Sequence, residues 1–140
     1  MKVAVVYWSG TGNTQMMAEA VVEGIQAAGG EAQLYYASDF TPEMVAEVDA
    51  LAFGCPSMGA EVLEEGEFEP MFEDVAPHLG SKPVALFGSY GWGDGEWMRN
   101  WQEECENKNI QLVADGYIAN ETPGEDELES CRQLGKLLLG

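Results

Sequence analysis

Basic residues are scarce in this sequence. Its 140 residues include 6 lysines and arginines against 25 aspartates and glutamates, which gives a formal net charge of −19 at pH 7. Such a field opposes binding to DNA, RNA and anionic membranes, and it attracts a protein with a basic surface. No lysine or arginine occurs between Lys2 and Lys82, while the stretch from Glu61 to Asp74 holds seven acids in fourteen residues. We therefore expect one end of the molecule to be strongly negative.

Cysteine and histidine are also few. Cys55, Cys105 and Cys131 are odd in number and widely spaced, so we expect neither a disulfide framework nor a metal cluster. The one histidine, His78, is expected at the surface near a helix end and not as a ligand or a base. No apolar run is long enough to span a bilayer, and no signal-peptide pattern is present. These absences predict a cytoplasmic, soluble monomer without a metal site.

Short apolar runs alternate with helical patterns along the chain. Trp97 and Trp101 lie four residues apart on one predicted helix and are expected to be packing residues. The predicted strands cover 3–7, 32–36, 50–54, 83–88 and 110–119, the last with a bulge at Gly116, and the predicted helices cover 13–28, a short segment from 41, 66–79, 95–106 and 125–138. This alternation predicts an α/β fold with a five-stranded parallel sheet and helices on both faces, in one domain spanning residues 1–140.

Binding sites in such sheets lie beyond the carboxyl ends of the strands. Three glycine-rich loops follow predicted strands one, three and four: WSGTGNT (8–14), CPSMGAE (55–61) and GSYGWGDGEW (88–97). Because the carboxyl ends of parallel strands share one edge of the sheet, we expect these three loops to lie together.

The first of these loops joins a strand to the start of a helix. Unpaired N–H groups and the helix dipole favour an oxyanion there, so the small residues and hydroxyls indicate a phosphate as the ligand. No lysine follows Gly12, which excludes the Walker A pattern of nucleotide hydrolysis. The position where a dinucleotide-binding loop needs its third glycine holds Gln15, which is followed by Met16 and Met17. For this loop taken alone, a small turn that merely caps the helix remains an alternative.

The second and third loops add a hydrogen-bond acceptor and an aromatic platform. Gly59 lets a peptide change orientation at low cost, and Glu61 offers its carboxylate to a ligand N–H. In the third loop, glycines surround Tyr90 and Trp92. An exposed indole beyond a strand end favours a flat ring that covers it. Together the loops predict one ligand with a phosphate at one end and an aromatic ring at the other.

The three loops together resemble those of the flavodoxins, specifically the short-chain kind of the clostridial and Megasphaera type, and the likeness covers essentially the whole chain. The resemblance implies a three-layer sandwich with sheet order 2-1-3-4-5 and non-covalently bound FMN. It implies a low-potential one-electron carrier, not an enzyme. It also implies transient contacts with reductases and oxidoreductases that present basic patches.

The resemblance also implies roles for individual residues at the phosphate end. Trp8 would lie alongside the 5′-phosphate. The residues whose amides and hydroxyls would hold it are Ser9, Gly10, Thr11, Gly12, Asn13 and Thr14.

At the ring end, the resemblance implies that the isoalloxazine lies between Met58 and Trp92, with Glu61 accepting from N3–H. The Gly59–Ala60 peptide would turn its carbonyl towards N5–H when the ring takes up one electron. Ala60 stands where several relatives have Asp or Ser, so the turn is retained but its effect on the potential is not predicted. The remaining residues expected at the cofactor are Pro56, Ser57, Ser89, Tyr90, Gly91, Gly93 and Asn120.

Two other functions share this architecture. An FMN-dependent quinone or nitro-group reductase is the alternative, but it needs room for a second substrate over the ring, and a stacked Trp92 leaves little. A response-regulator receiver needs acids after strands one and three and a lysine after strand five, and the sequence has none there. We therefore expect a carrier whose acidic surround pushes the second one-electron potential low.

Overall fold

The secondary structure alternates strands and helices, and the computed structural model describes all residues from 1 to 140. The strands are β1 (Lys2–Tyr7), β2 (Glu31–Tyr36), β3 (Ala50–Gly54), β4 (Pro83–Tyr90), β5 (Gln111–Leu112) and β6 (Tyr117–Asn120). The helices are α1 (Asn13–Ala27), α2 (Pro42–Val45), α3 (Phe68–Val75), α4 (Glu96–Asn107) and α5 (Glu125–Leu137). Short 3-10 turns follow β2 and α3, and none of the helices has the length and apolar character needed to cross a bilayer.

All strand pairs are parallel, in the order β2-β1-β3-β4-β5, and β6 pairs with β4 further along the same edge. The predicted α/β fold and the sheet order 2-1-3-4-5 are therefore confirmed. β3 is buried along its whole length, as expected of a central strand covered on both faces. β4 continues to Tyr90, two residues beyond the prediction, and so carries Ser89 into the sheet.

The prediction of one continuous fifth strand over 110–119 was wrong. The ladder is interrupted between β5 and β6, and Gly116 lies in this interruption instead of forming a bulge. The reason is contact with α4: a Cβ on Gly116 would lie 2.3 Å from the Met98 sulfur, and the Gly116 N–H donates to Gln102 Oε1 at 2.9 Å. The chain leaves the sheet to meet the helix and then returns to β4.

The helix predicted over 66–79 is also shorter than expected. α3 begins at Phe68 and ends at Val75, and a 3-10 turn continues it to His78, which is exposed as predicted. Pro77 explains the tightened end, because its ring removes a backbone N–H that a continuing helix would use.

Apolar side chains form one core on each face of the sheet. One core contains Phe53, Phe72 and Trp101 among its members, and the other contains Met17 and Phe87. The Phe72 and Trp101 rings meet edge to face with centroids 5.6 Å apart. Trp97 and Trp101 are 1% and 2% exposed, which confirms that they are packing residues.

Candidate functional site

The carboxyl ends of the central strands open onto one cavity of about 500 Å³. That volume is in the range of small-molecule sites. Its wall joins all three glycine-rich loops to the segment that follows β6. The lining residues are Trp8, Ser9, Gly10, Thr11, Asn13, Thr14, Pro56, Ser57, Met58, Ser89, Tyr90, Gly91, Glu121 and Thr122.

Hydrogen bonds within the protein fix the loop between β1 and α1. Ser9 Oγ accepts from the Gly12 N–H at 3.0 Å and from the Gln15 N–H at 3.3 Å. The Tyr36 hydroxyl donates to the Ser9 carbonyl at 3.4 Å. Gly12 has a φ of 97°, a left-handed conformation that glycine adopts without strain. Two hydrogen bonds to Ser9 Oγ and one from Tyr36 on β2 therefore hold the loop in its curled form.

Five backbone N–H groups of this loop donate to no other group of the protein: those of Ser9, Gly10, Thr11, Asn13 and Thr14. The Thr14 side chain is 1% exposed, and its hydroxyl lies 2.8 Å from the Ser89 hydroxyl. Free amides at a helix N-terminus attract an anion through direct donation and through the helix dipole. The arrangement suits a phosphate without any cationic side chain.

A tight turn follows β3. Met58 and Val62 exchange two backbone hydrogen bonds, of 2.8 Å and 3.0 Å, and the three residues between them reverse the chain. Gly59 has a φ of 47° and Glu61 a φ of 56°. Ala60, at the tip, is exposed. The turn thus presents peptide groups at the tip, where a small side chain leaves them accessible.

The carboxylate of Glu61 packs against the loop after β4. Glu61 is only 9% exposed, and its Oε1 has no hydrogen-bond partner in the protein. A Cβ on Gly93 would lie 2.2 Å from that oxygen, so only glycine permits this approach. The N–H groups of Gly91, Trp92 and Gly93 donate to no protein group, and Trp92 is 63% exposed. A buried acceptor and three free donors therefore meet beside an exposed indole.

Comparison with known proteins decides the family. Residues 5–135 match the sequence profile of the flavodoxins. The chain belongs to the flavodoxin family. Flavodoxins bind FMN and act as low-potential electron carriers through transient contacts with redox partners, and they are not enzymes. The reductase alternative is therefore not supported.

Two curated flavodoxins match along nearly their full lengths. The chain is 43% identical to the flavodoxin of Megasphaera elsdenii over 134 residues, which cover 96% of each protein. It is 44% identical to the flavodoxin of Clostridium beijerinckii over 132 residues, which cover 94% of this chain and 95% of that protein. The solution structure of two-electron reduced M. elsdenii flavodoxin superposes with a TM-score of 0.88 over 97% of both chains. The predicted resemblance to short-chain flavodoxins is confirmed.

The two ends of the site fit the chemistry of FMN. The phosphate of FMN needs donors, and the loop after β1 offers five unpaired amides. The isoalloxazine has an N–H at one edge, and Glu61 Oε1 is a buried acceptor without a partner. An unpaired buried carboxylate oxygen is costly unless a donor reaches it, so its presence favours a ligand N–H at this position.

The structure brings twelve of the predicted residues to the cavity wall and places the others beside it. Gly12 lies at the N-cap of α1, and Asn120 directs its amide to the Tyr90 carbonyl at 3.3 Å. The remaining predicted residues lie in the turn after β3 and in the loop after β4: Gly59, Ala60, Glu61, Trp92 and Gly93.

Sequence reasoning missed two residues of the wall, Glu121 and Thr122. Glu121 has a φ of 56°, and its N–H donates to the Tyr90 carbonyl at 2.7 Å. Both residues follow β6 directly. The rule that sites lie beyond strand ends would have found them had it been applied to the fifth strand as well. Glu121 is the only charged residue of the wall, so the cavity itself is negative.

Proposed function

We propose that this cavity holds FMN with its phosphate in the loop after β1 and its ring between the turn after β3 and the loop after β4. The observation that carries the proposal is the pairing of five free amides at one end with an unpartnered Glu61 carboxylate oxygen at the other. The phosphate end binds through neutral donors: the amides of Ser9, Gly10, Thr11, Asn13 and Thr14 and the nearby hydroxyls.

At the ring end, Met58 packs on the inner face and Trp92 on the outer face in this proposal. Glu61 accepts from N3–H, and the free amides of Gly91 and Gly93 reach the pyrimidine edge. FMN supplies the electron-accepting ring, and the surrounding residues set its potential through hydrogen bonds and charge. Trp92 is exposed in the structure, and contact with a flat ring would remove much of its apolar surface from water.

The Gly59–Ala60 peptide is assigned the role of acceptor for flavin N5–H. The positive φ of Gly59 supports this, because glycine can rotate the following peptide with little steric cost. The side chain of Ala60 is small and carries no charge, so the acceptor at this point is the backbone carbonyl alone.

The partners in this proposal are redox proteins with basic patches, which the chain meets transiently as a cytoplasmic monomer. The supporting observation is crowding of acids beside the ring end. Burial raises the pKa of Glu69, and the neighbouring charges of Glu73, Glu65 and Glu104 raise it further. Such a surface accelerates encounter with basic proteins at low salt, and it disfavours nucleic acids and anionic lipids.

The test is a redox titration of the protein loaded with FMN, followed at two wavelengths. We expect yellow protein and two resolved one-electron potentials, the second lower than that of free FMN. Glu61→Gln should raise the second potential, because it removes a negative charge and replaces one acceptor oxygen with a donor. One 59 mV step corresponds to about a tenfold change in a one-electron equilibrium.

The matched control for Glu61→Gln is Glu65→Gln, which removes the same charge from an exposed side chain that makes no hydrogen bond. Equal shifts in the two variants would contradict the N3–H assignment. A protein that neither is yellow nor takes up added FMN would contradict the site as a whole.

A further inference from the structure

The turn closed by Met58 and Val62, here called the ring-end turn, is followed by a segment that leads to α3. One side chain, that of Glu64, organises this segment. Its carboxylate accepts from the backbone N–H groups of Gly66 at 2.8 Å, Glu67 at 2.7 Å and Phe68 at 2.8 Å. Hydrogen bonds to an ionised acceptor are stronger than neutral ones. Burial acts to raise the pKa of Glu64, but the three donors outweigh it, and the pKa lies below its usual value.

The backbone of Glu64 is tied to the end of β3. Its N–H donates to the Cys55 sulfur at 3.3 Å, and Cys55 is fully buried directly after β3, three residues before Met58. Two residues earlier, Val62 closes the ring-end turn by its paired hydrogen bonds with Met58. Glu64 therefore fixes the chain that leaves the ring-end turn, whose tip consists of residues 59–61.

The carboxylate of Glu64 also reaches the phosphate end, through Glu67. The Glu67 N–H is held by Glu64 Oε1, and the Glu67 side chain accepts from Trp8 Nε1 at 3.0 Å. Trp8 begins the phosphate loop, and its ring lies 3.2 Å from the position of a Cβ on Gly10. Hydrogen bonds at Glu64 and Glu67, joined by short lengths of backbone, thus link the segment after the ring-end turn to the phosphate loop.

We propose that Glu64 is a positioning residue for FMN, whose carboxylate fixes the ring-end turn and the phosphate loop relative to each other. The inference rests on the proposed function, because it takes these two loops to hold the two ends of the cofactor. When the two loops are already held in the correct relative position, FMN binds without the entropic cost of ordering them. Glu64 touches no lining residue through its carboxylate, so it acts only through the backbone that it holds.

Glu65 provides a matched control. It has the same charge, is adjacent in the chain and exposed, and makes no hydrogen bond or ion pair. Substitution at position 65 therefore reports the loss of one negative charge near the site. The same substitution at position 64 reports that loss together with the loss of the hydrogen bonds.

The experiment compares Glu64→Ala and Glu64→Gln with Glu65→Ala and Glu65→Gln. FMN and riboflavin affinities of the apoproteins are measured by fluorescence quenching, and both potentials are measured at saturating FMN. We expect Glu64→Ala to bind FMN about tenfold more weakly than Glu65→Ala, the equivalent of about 1.4 kcal/mol. Glu64→Gln should fall between them, since its amide oxygen still accepts from Glu67 and Phe68.

The potentials separate positioning from general loss of stability, because they are measured on fully loaded, folded protein. We expect a larger shift of the second potential in Glu64→Gln than in Glu65→Gln. Trp8→Phe, which removes the hydrogen bond to Glu67 together with part of the cavity wall, should weaken FMN binding more than riboflavin binding.

Equal affinities and equal potentials at positions 64 and 65 would overturn the inference, since Glu64 would then act only as a charge. If Glu64→Ala does not fold, the pair of glutamine variants decides in the same way. Failure of the proposed function has a different result: the wild type would not bind FMN, or Glu61→Gln would change the potentials no more than Glu65→Gln, whatever the variants at Glu64 do.

Discussion

The phosphate end and the ring end of the site are built in different ways. Around the phosphate loop, Ser9, Tyr36 and the buried Thr14–Ser89 pair supply hydrogen bonds that are complete within the protein. The ring end depends on a three-residue turn closed by two hydrogen bonds, an unpartnered Glu61 oxygen and an indole that is 63% exposed.

This difference separates anchoring from tuning. A preformed loop of free amides binds an anion with little reorganisation, so the phosphate end contributes affinity that does not depend on the state of the ring. The ring end keeps its unpaired groups at the atoms where the charge of a flavin changes. Groups placed there alter the potential, because they interact differently with the oxidised and reduced forms.

The largest effect is expected from Trp92→Ala at the ring end. Stacking of a heterocycle on an aromatic side chain is worth about 1–3 kcal/mol, so FMN and riboflavin should both bind roughly tenfold to hundredfold more weakly. Affinity measured by titration of the apoprotein checks this. Leu137→Ala, half-exposed on α5 and outside the cavity wall, is the control and should bind as the wild type does. Unchanged affinity in Trp92→Ala would remove the stacking assignment.

An intermediate effect is expected from Gly12→Ala at the phosphate end. Gly12 has a φ of 97°, and no atom lies within 4 Å of the position that a Cβ would take. The substitution therefore adds backbone strain of about 1–2 kcal/mol without a clash. Relief of that strain would displace the free amides. We expect FMN affinity to fall several-fold while riboflavin affinity is nearly unchanged.

Gly29→Ala is the matched control for that prediction, because Gly29 has a φ of 91° and equally open surroundings beyond the other end of α1. Both variants should lose similar unfolding free energy in urea. If both variants lost similar FMN affinity, the result would contradict a specific role for the Gly12 backbone in binding the phosphate.

The smallest effect is expected in the pH dependence of stability at Glu64. Its pKa is lowered in the folded protein below the ordinary value of 4.5, so its stabilisation is present above that pH and is lost as pH falls through the folded-state pKa. The wild type should exceed Glu64→Gln by about 1 kcal/mol near neutral pH, and the difference should shrink below about pH 4.5. Urea unfolding at several pH values measures it. A difference that does not depend on pH would contradict ionisation as its source.

The sequence predicted the fold and the location of the site because both depend on local patterns. VAVVY and ALAFG are continuous apolar runs, and they became the central strands β1 and β3. The three glycine-rich loops follow strand ends, and parallel topology brings such ends together. The interruption between β5 and β6 was not predictable in this way, because it is set by contact with Met98 and Gln102 on α4.

From local patterns alone, the sequence predicts the alternation of strands and helices, the acidic charge and the three loops, since hydrophobic period, glycine and charge act over a few residues. Tertiary contacts decided that Glu61 keeps an unpaired oxygen. Glu61 and Glu64 lie three residues apart in the same acidic stretch, yet one carboxylate has an unpartnered oxygen and the other accepts three N–H groups. The physical reason is that Glu61 packs against the distant Gly93, a contact that no local pattern encodes, whereas the three donors to Glu64 lie only two to four residues ahead of it.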